Sequence, residues 1–281
     1  MALGLGGGLA AGLVVIAVAA TTPVAVLVTL RTLGADRQAR IAAPFLVAGP
    51  AAIWMAVSAD AVFGAVAAWG LACLSVAATR TSRRELVAWG VLAGLLLGYC
   101  VMMSYGLPIL AIPAVAILLL TRNGRPLPWA GASALVVVGA FALAGFRWWE
   151  AFPVLRDRYY SGVASARPTS YWLWGNLAAL SFSAGPMVGA AVAQAGSRVK
   201  AAWRHADGQR VVVVLTLAAA SMVAVADVSG MSKGEVERIW LPFVPWLLAG
   251  TALLPTRWRK IGIPLQLSLA LAVQHLLSTG W

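Results

Sequence analysis

Positive charge falls in every second gap between this chain's apolar stretches, and that alternation constrains the fold more than any motif does. The apolar stretches run over 9–30, 41–57, 62–79, 86–103, 107–121, 128–146, 172–195, 211–229, 240–254 and 261–278. Most are close to the ~20 residues a helix needs to cross hydrocarbon. Alternate gaps hold Arg31, Arg37 and Arg40, then Arg80, Arg83 and Arg84, then Arg122 and Arg125, then Arg198, Lys200, Arg204 and Arg210, and finally Arg257, Arg259 and Lys260. Cytoplasmic loops of membrane proteins collect Lys and Arg in this way. The pattern predicts an all-α fold, a polytopic transmembrane helix bundle of about ten spans forming a single integral membrane domain over 1–281. It places the chain in the cell (plasma) membrane with both termini outside.

Composition agrees. With 61% hydrophobic and 11% charged residues the chain is too apolar for a soluble domain of its length. The net charge of +12 follows from the topology and from attraction to anionic lipid, so membrane lipid is the expected partner and nucleic acid is not. No Lys or Arg precedes Arg31, so the start lacks the positive region of a secretory signal peptide. Cys73 and Cys100 fall inside spans, where a thiol behaves as a small apolar group. His205 sits in a basic gap and His275 in the last span, so no His and Cys ligand set forms and no metal is expected. The glycine-rich start at Gly4 to Gly8 lacks the following strand and helix of a phosphate-binding loop, and no cofactor is implied.

Helix breakers mark special places. The Ser104 to Pro108 segment separates two spans too closely for an ordinary loop, which predicts a sharp turn or a broken helix at membrane depth. Gly49-Pro50 and Gly185-Pro186 are expected to kink helices.

The gaps assigned to the exported side hold few cations but six of the nine acids: Asp60, Glu150, Asp157, Asp227, Glu235 and Glu237. The longest such segment, Arg147–Tyr171, mixes aromatic and charged residues. Trp148, Trp149, Tyr159, Tyr160, Tyr171, Trp172 and Trp174 are suited to stack on sugar rings, and Arg156, Arg158 and Arg167 to hold a phosphate. An interfacial aromatic belt accounts for the same residues. A second segment packs Lys233, Glu235, Glu237 and Arg238 together. If a helix starts at Lys233, Lys233 shares a face with Glu237 and Glu235 with Arg238. Such a helix end is either self-neutralised or a place where Lys233 and Arg238 take a lipid phosphate, leaving a carboxylate for proton transfer. The third segment is the turn Ser58–Ala61, where Asp60 either caps the following helix or acts with Asp227 at a similar depth.

Several stretches together resemble the integral-membrane glycosyltransferases of the GT-C superfamily, especially the actinobacterial type that uses polyprenyl-phosphate sugars. They are Leu30 to Gly34, Ala42 to Leu46, Pro50 to Met55, Ser58 to Phe63, Ala68 to Gly70, Gly94 to Gly98 leading into Ser104 to Gly106, and above all Gly234 to Phe243. The resemblance implies a many-helix fold with its site on the exported face. There an acceptor hydroxyl of a glycan or protein attacks an anomeric carbon as a lipid phosphate leaves, and an acid serves as general base. Among the acids present, Asp60 and Glu235 fit that role. Lys233, Arg238 and Arg167 would neutralise the phosphate, and Glu237, Tyr159, Tyr160 and Trp172 would contact substrate. In these families the acid sits on a long exported loop after the first helix, whereas here the first helix leads to basic Arg31–Arg40. An enzyme of this type lacking its N-terminal part is therefore expected, or an inactive relative. Two other classes remain, a non-catalytic membrane subunit and a transporter. A transferase concentrates charge at the exported rim, and a transporter lines a path through the middle with polar groups.

Overall fold

The computed structural model describes residues 7–205 and 207–277, and every regular element among them is helical. The glycine-rich start before residue 7 and the last four residues lie outside the described residues, and with them the placing of both termini. In chain order the helices are α1 (Gly8–Ala19), α2 (Thr22–Thr32), α3 (Asp36–Val47), α4 (Ala51–Met55), α5 (Ala59–Thr79) and α6 (Arg83–Met103). A 3₁₀ turn, Leu107–Leu110, leads into α7 (Ala111–Thr121), followed by α8 (Leu127–Leu143), α9 (Trp148–Ser161), α10 (Thr169–Ala184), α11 (Met187–Ser197) and α12 (Val199–Arg204). The chain closes with α13 (Gly208–Val228), α14 (Val236–Ile239), α15 (Val244–Ala249) and α16 (Thr256–Leu276).

Among the described residues, four segments are long and apolar enough to cross a membrane: Gly8–Thr32, Ala59–Thr79, Arg83–Met103 and Gly208–Val228. The bent pairs α8 with α9 and α10 with α11 raise the number to six if each is one span. The chain is a helical membrane protein, but the expected ten or so spans are not found among the described residues. Breakers cut the others short. The 41–57 stretch divides at Gly49-Pro50 into α3 and α4, and 240–254 holds only α15 and a 3₁₀ turn at Gly250–Leu253. At 1.5 Å per residue, helices this short cannot cover about 30 Å of hydrocarbon. Gly185-Pro186 is more than a kink, since α10 and α11 meet at 104°. Gly185 takes φ +85°, open to glycine, and the Gln266 side chain occupies the place of a Cβ.

α5 is the centre of the bundle, buried on nearly every side, and α13 is its counterpart in the second half. The segment 240–254 is buried at every residue but Ala252, with Trp240, Phe243 and Trp246 in the main hydrophobic cluster. With no water to displace between apolar helices, close packing of small residues does the holding. Gly90, Gly94 and Gly98 form a one-sided stripe on α6 against α8. A Cβ on Gly94 would fall on the Ala130 carbonyl, and one on Gly98 would come within 2.7 Å of the Ala134 Cα. Ser133 Oγ donates to the Val91 carbonyl across this contact at 3.0 Å.

The two kinds of gap gather at opposite ends of the bundle. At one end the basic connections meet: Asn123 Nδ2 donates to the Ala78 carbonyl at 2.8 Å, Arg198 reaches Gln209, and Gly208 packs on Ala35 and Gln38. At the other, the start of α5, the end of α6, α9, the start of α10 and the segment after α13 come together. We call this second end the rim.

Candidate functional site

Ser58 starts α5, its Oγ accepting from Ala61 N–H at 3.1 Å. That bond caps the helix, so Asp60 is released from the capping role. The residue is 8% exposed, and its carboxylate accepts from Arg238 Nη1 at 2.5 Å. Arg238 Nη2 donates to Glu235 at 3.0 Å, so one guanidinium links two carboxylates from distant parts of the chain. Arg suits this task because its planar fork presents several donors at fixed angles.

The Glu235–Arg238 pairing expected from their spacing is present, but the Lys233–Glu237 pairing is not. Helix α14 begins only at Val236, because Gly234 and Glu235 both take the left-handed conformation, φ +91° and +60°. Lys233 therefore lies off that helix. It is 7% exposed, its ammonium stands 5.7 Å from the centre of the Tyr160 ring, and no carboxylate pairs with it among the described residues. Glu237 likewise makes no ion pair among them.

The aromatic segment after α8 is the helix α9, bent 73° from α8 and carrying Glu150, Arg156, Asp157 and Arg158. Its inner face is a stack of Trp148 and Phe152, 5.1 Å apart, against Tyr105. Tyr160 donates to the Ser229 carbonyl at 3.0 Å, and Tyr159 Oη accepts from Lys233 N–H at 2.8 Å. Burial pushes the Tyr159 phenol up, against the pull of the Lys233 N–H bond and of Arg167. Arg167 donates to the Lys233 carbonyl and lies over the Trp172 ring at 5.3 Å. The structure thus brings Tyr159, Tyr160, Arg167 and Trp172 to one segment, 229–234. Trp149, Tyr171 and Trp174 are exposed, as an interfacial belt requires.

A cavity of about 420 Å³ opens at this rim, lined by Asp60, Ser104, Tyr105, Phe152, Ser229 and Ser232 among others. The broken segment after α6 and the buried acid, two separate features of the sequence, therefore face one space. The site holds a carboxylate fixed by an arginine, hydroxyl groups and an aromatic wall. Among the described residues no three His, Cys, Asp or Glu side chains gather to hold a metal. No protein-family model, curated protein or solved structure matches this chain.

Sequence reasoning missed Asn176. Fully buried on α10, it donates to Asp227 Oδ1 at 2.8 Å and to the Ser232 carbonyl at 2.6 Å, and accepts from Gly234 N–H at 3.0 Å. It fastens the 229–234 segment to two helices. A lone amide inside an apolar span was the available signal, since buried polar groups are kept where they are bonded.

Proposed function

We propose that this protein works at the exported face of the cell membrane as a glycosyltransferase-like protein, moving a sugar from a polyprenyl-phosphate donor to an envelope glycan or protein. What carries this reading is Asp60, a buried carboxylate gripped by Arg238 and facing the rim cavity. A glycosyl phosphate has its leaving group built in, so catalysis needs acceptor deprotonation, phosphate neutralisation and alignment. In this proposal Asp60 takes the acceptor proton, with Glu235 the second carboxylate on the same guanidinium. Arg238, bonded to both acids, orients them. Lys233 and Arg167 neutralise the phosphate, and Tyr159, Tyr160, Trp172 and Glu237 surround the sugar. The GT-C resemblance supports this assignment, as does the gathering of acid-bearing segments at one end.

The test is binding of a polyprenyl monophosphate to the full chain in nanodiscs. Lys233→Gln is expected to weaken it about tenfold, about 1.4 kcal/mol, and Arg83→Ala at the opposite end to leave it unchanged. Equal effects of the two substitutions would contradict the proposal.

A transporter is the second reading, favoured by the 104° break between α10 and α11 and by the fully buried Gln266 amide beside it, 3.0 Å from the Ala184 carbonyl. Transport of the polyprenyl phosphate across sealed vesicles, with no transfer, would select it.

A further inference from the structure

A second recess, of about 540 Å³, lies on another face of α13 from the rim cavity. Val225, Ala226 and Ser229 line the rim cavity, whereas Val223, Ala224, Asp227 and Val228 line this groove with α10 and α11. Its walls are Leu180, Val188, Val192, Val223 and Leu247, with Asp227 its one charged residue. Leu177 and Val228, beside Asp227, are 41% and 78% exposed, so that end opens on the surrounding hydrocarbon.

Asp227 is 7% exposed and no cation pairs with it among the described residues. Its bond from Asn176 uses one acceptor position of the roughly four that a carboxylate offers. An acid so placed in a membrane span is costly unless further donors reach it. The hydrocarbon side supplies none, and the groove walls are apolar. A ligand that brings both a chain and a donor answers both demands.

We propose that the groove holds the hydrocarbon chain of a lipid whose head donates hydrogen bonds, a hydroxyl or an ammonium, to Asp227. A phosphate head adds negative charge and acceptor oxygens beside an acid that already lacks donors, so it is disfavoured here. The site is therefore separate from any that receives a lipid phosphate, and it stands whether or not the transferase reading does.

The probe is hexadecanol bearing a diazirine near its methyl end, photolysed with the full chain in nanodiscs and mapped by peptide mass spectrometry. Label is expected on α10, α11 and α13 around the groove. Unlabelled hexadecanol and hexadecylamine should compete about tenfold better than hexadecyl phosphate, and Asp227→Asn should erase that preference. Gly189→Phe should abolish groove labelling without disturbing the fold, because a Cβ at Gly189 meets nothing within 4 Å and Gly189 lines the groove. Competition by hexadecyl phosphate equal to that by hexadecanol would overturn the proposal, as would an unchanged preference in Asp227→Asn or unchanged labelling in Gly189→Phe. Separation of the alcohol from the amine would only refine which head donates and would support it.

Discussion

Arg238→Ala is expected to lower stability by about 3 kcal/mol, more than any other single change among the charged residues of the rim. The loss comes less from the missing attraction than from what stays behind. Asp60, 8% exposed, would be left a buried acid with no guanidinium to meet it, and Glu235 would lose the partner that holds it beside the site. Arg238→Lys should recover only part of the loss, because one ammonium cannot bridge two carboxylates at fixed angles. Asp60→Asn placed in the Arg238→Ala background should restore much of it, since the stranded acid is then gone. Thermal unfolding of the purified variants in one detergent gives the cycle, and strictly additive effects of the two changes would show that the pair is not coupled.

Gly94→Leu is expected to prevent correct folding altogether. Ordinary overpacking of a core costs about 1–3 kcal/mol because neighbouring side chains can give way. Here the obstacle is backbone, the Ala130 carbonyl of α8, with Ser133 Oγ beside it. Helices α6 and α8 would have to separate along the whole Gly90, Gly94 and Gly98 stripe, losing the contact that holds them. Gly139→Leu on α8 is the matched control, since nothing lies within 4 Å of a Cβ there. Size-exclusion profiles of fluorescently tagged protein should show a folded peak for Gly139→Leu and aggregate for Gly94→Leu; two similar folded peaks would mean that α6 and α8 pack less closely than described.

Much of the fold was legible in the charges. The alternation of basic and acidic gaps anticipated which segments share an end, because Lys and Arg gather where they meet anionic headgroups, and the meetings of Asn123 with Ala78 and of Arg238 with Asp60 follow that division. Span number was not legible, because hydropathy records how apolar a stretch is but not where its helix ends. Pro50, Gly185 and the prolines at 242 and 245 turn three apolar stretches into short or bent pieces. At the site, Glu235 with Arg238 could be read from a spacing of three. Asp60 with Arg238 could not, since 178 residues separate them and only tertiary packing joins them. The Lys233–Glu237 pairing failed for a local reason. Gly234 allows a left-handed step, Glu235 takes a second, and the helix assumed to carry Lys233 starts three residues later.

The claim underlying the whole account is that the acid-rich rim opens away from the cytosol. Cysteine labelling on intact cells tests it most directly. Ser165 and Lys200 are both exposed, one in the rim segment and the other among the basic connections, while the native thiols Cys73 and Cys100 are buried and give a low background. A membrane-impermeant maleimide is predicted to modify Ser165→Cys on whole cells and to reach Lys200→Cys only after the membrane is opened. Modification of Lys200→Cys on intact cells with Ser165→Cys protected would contradict the account.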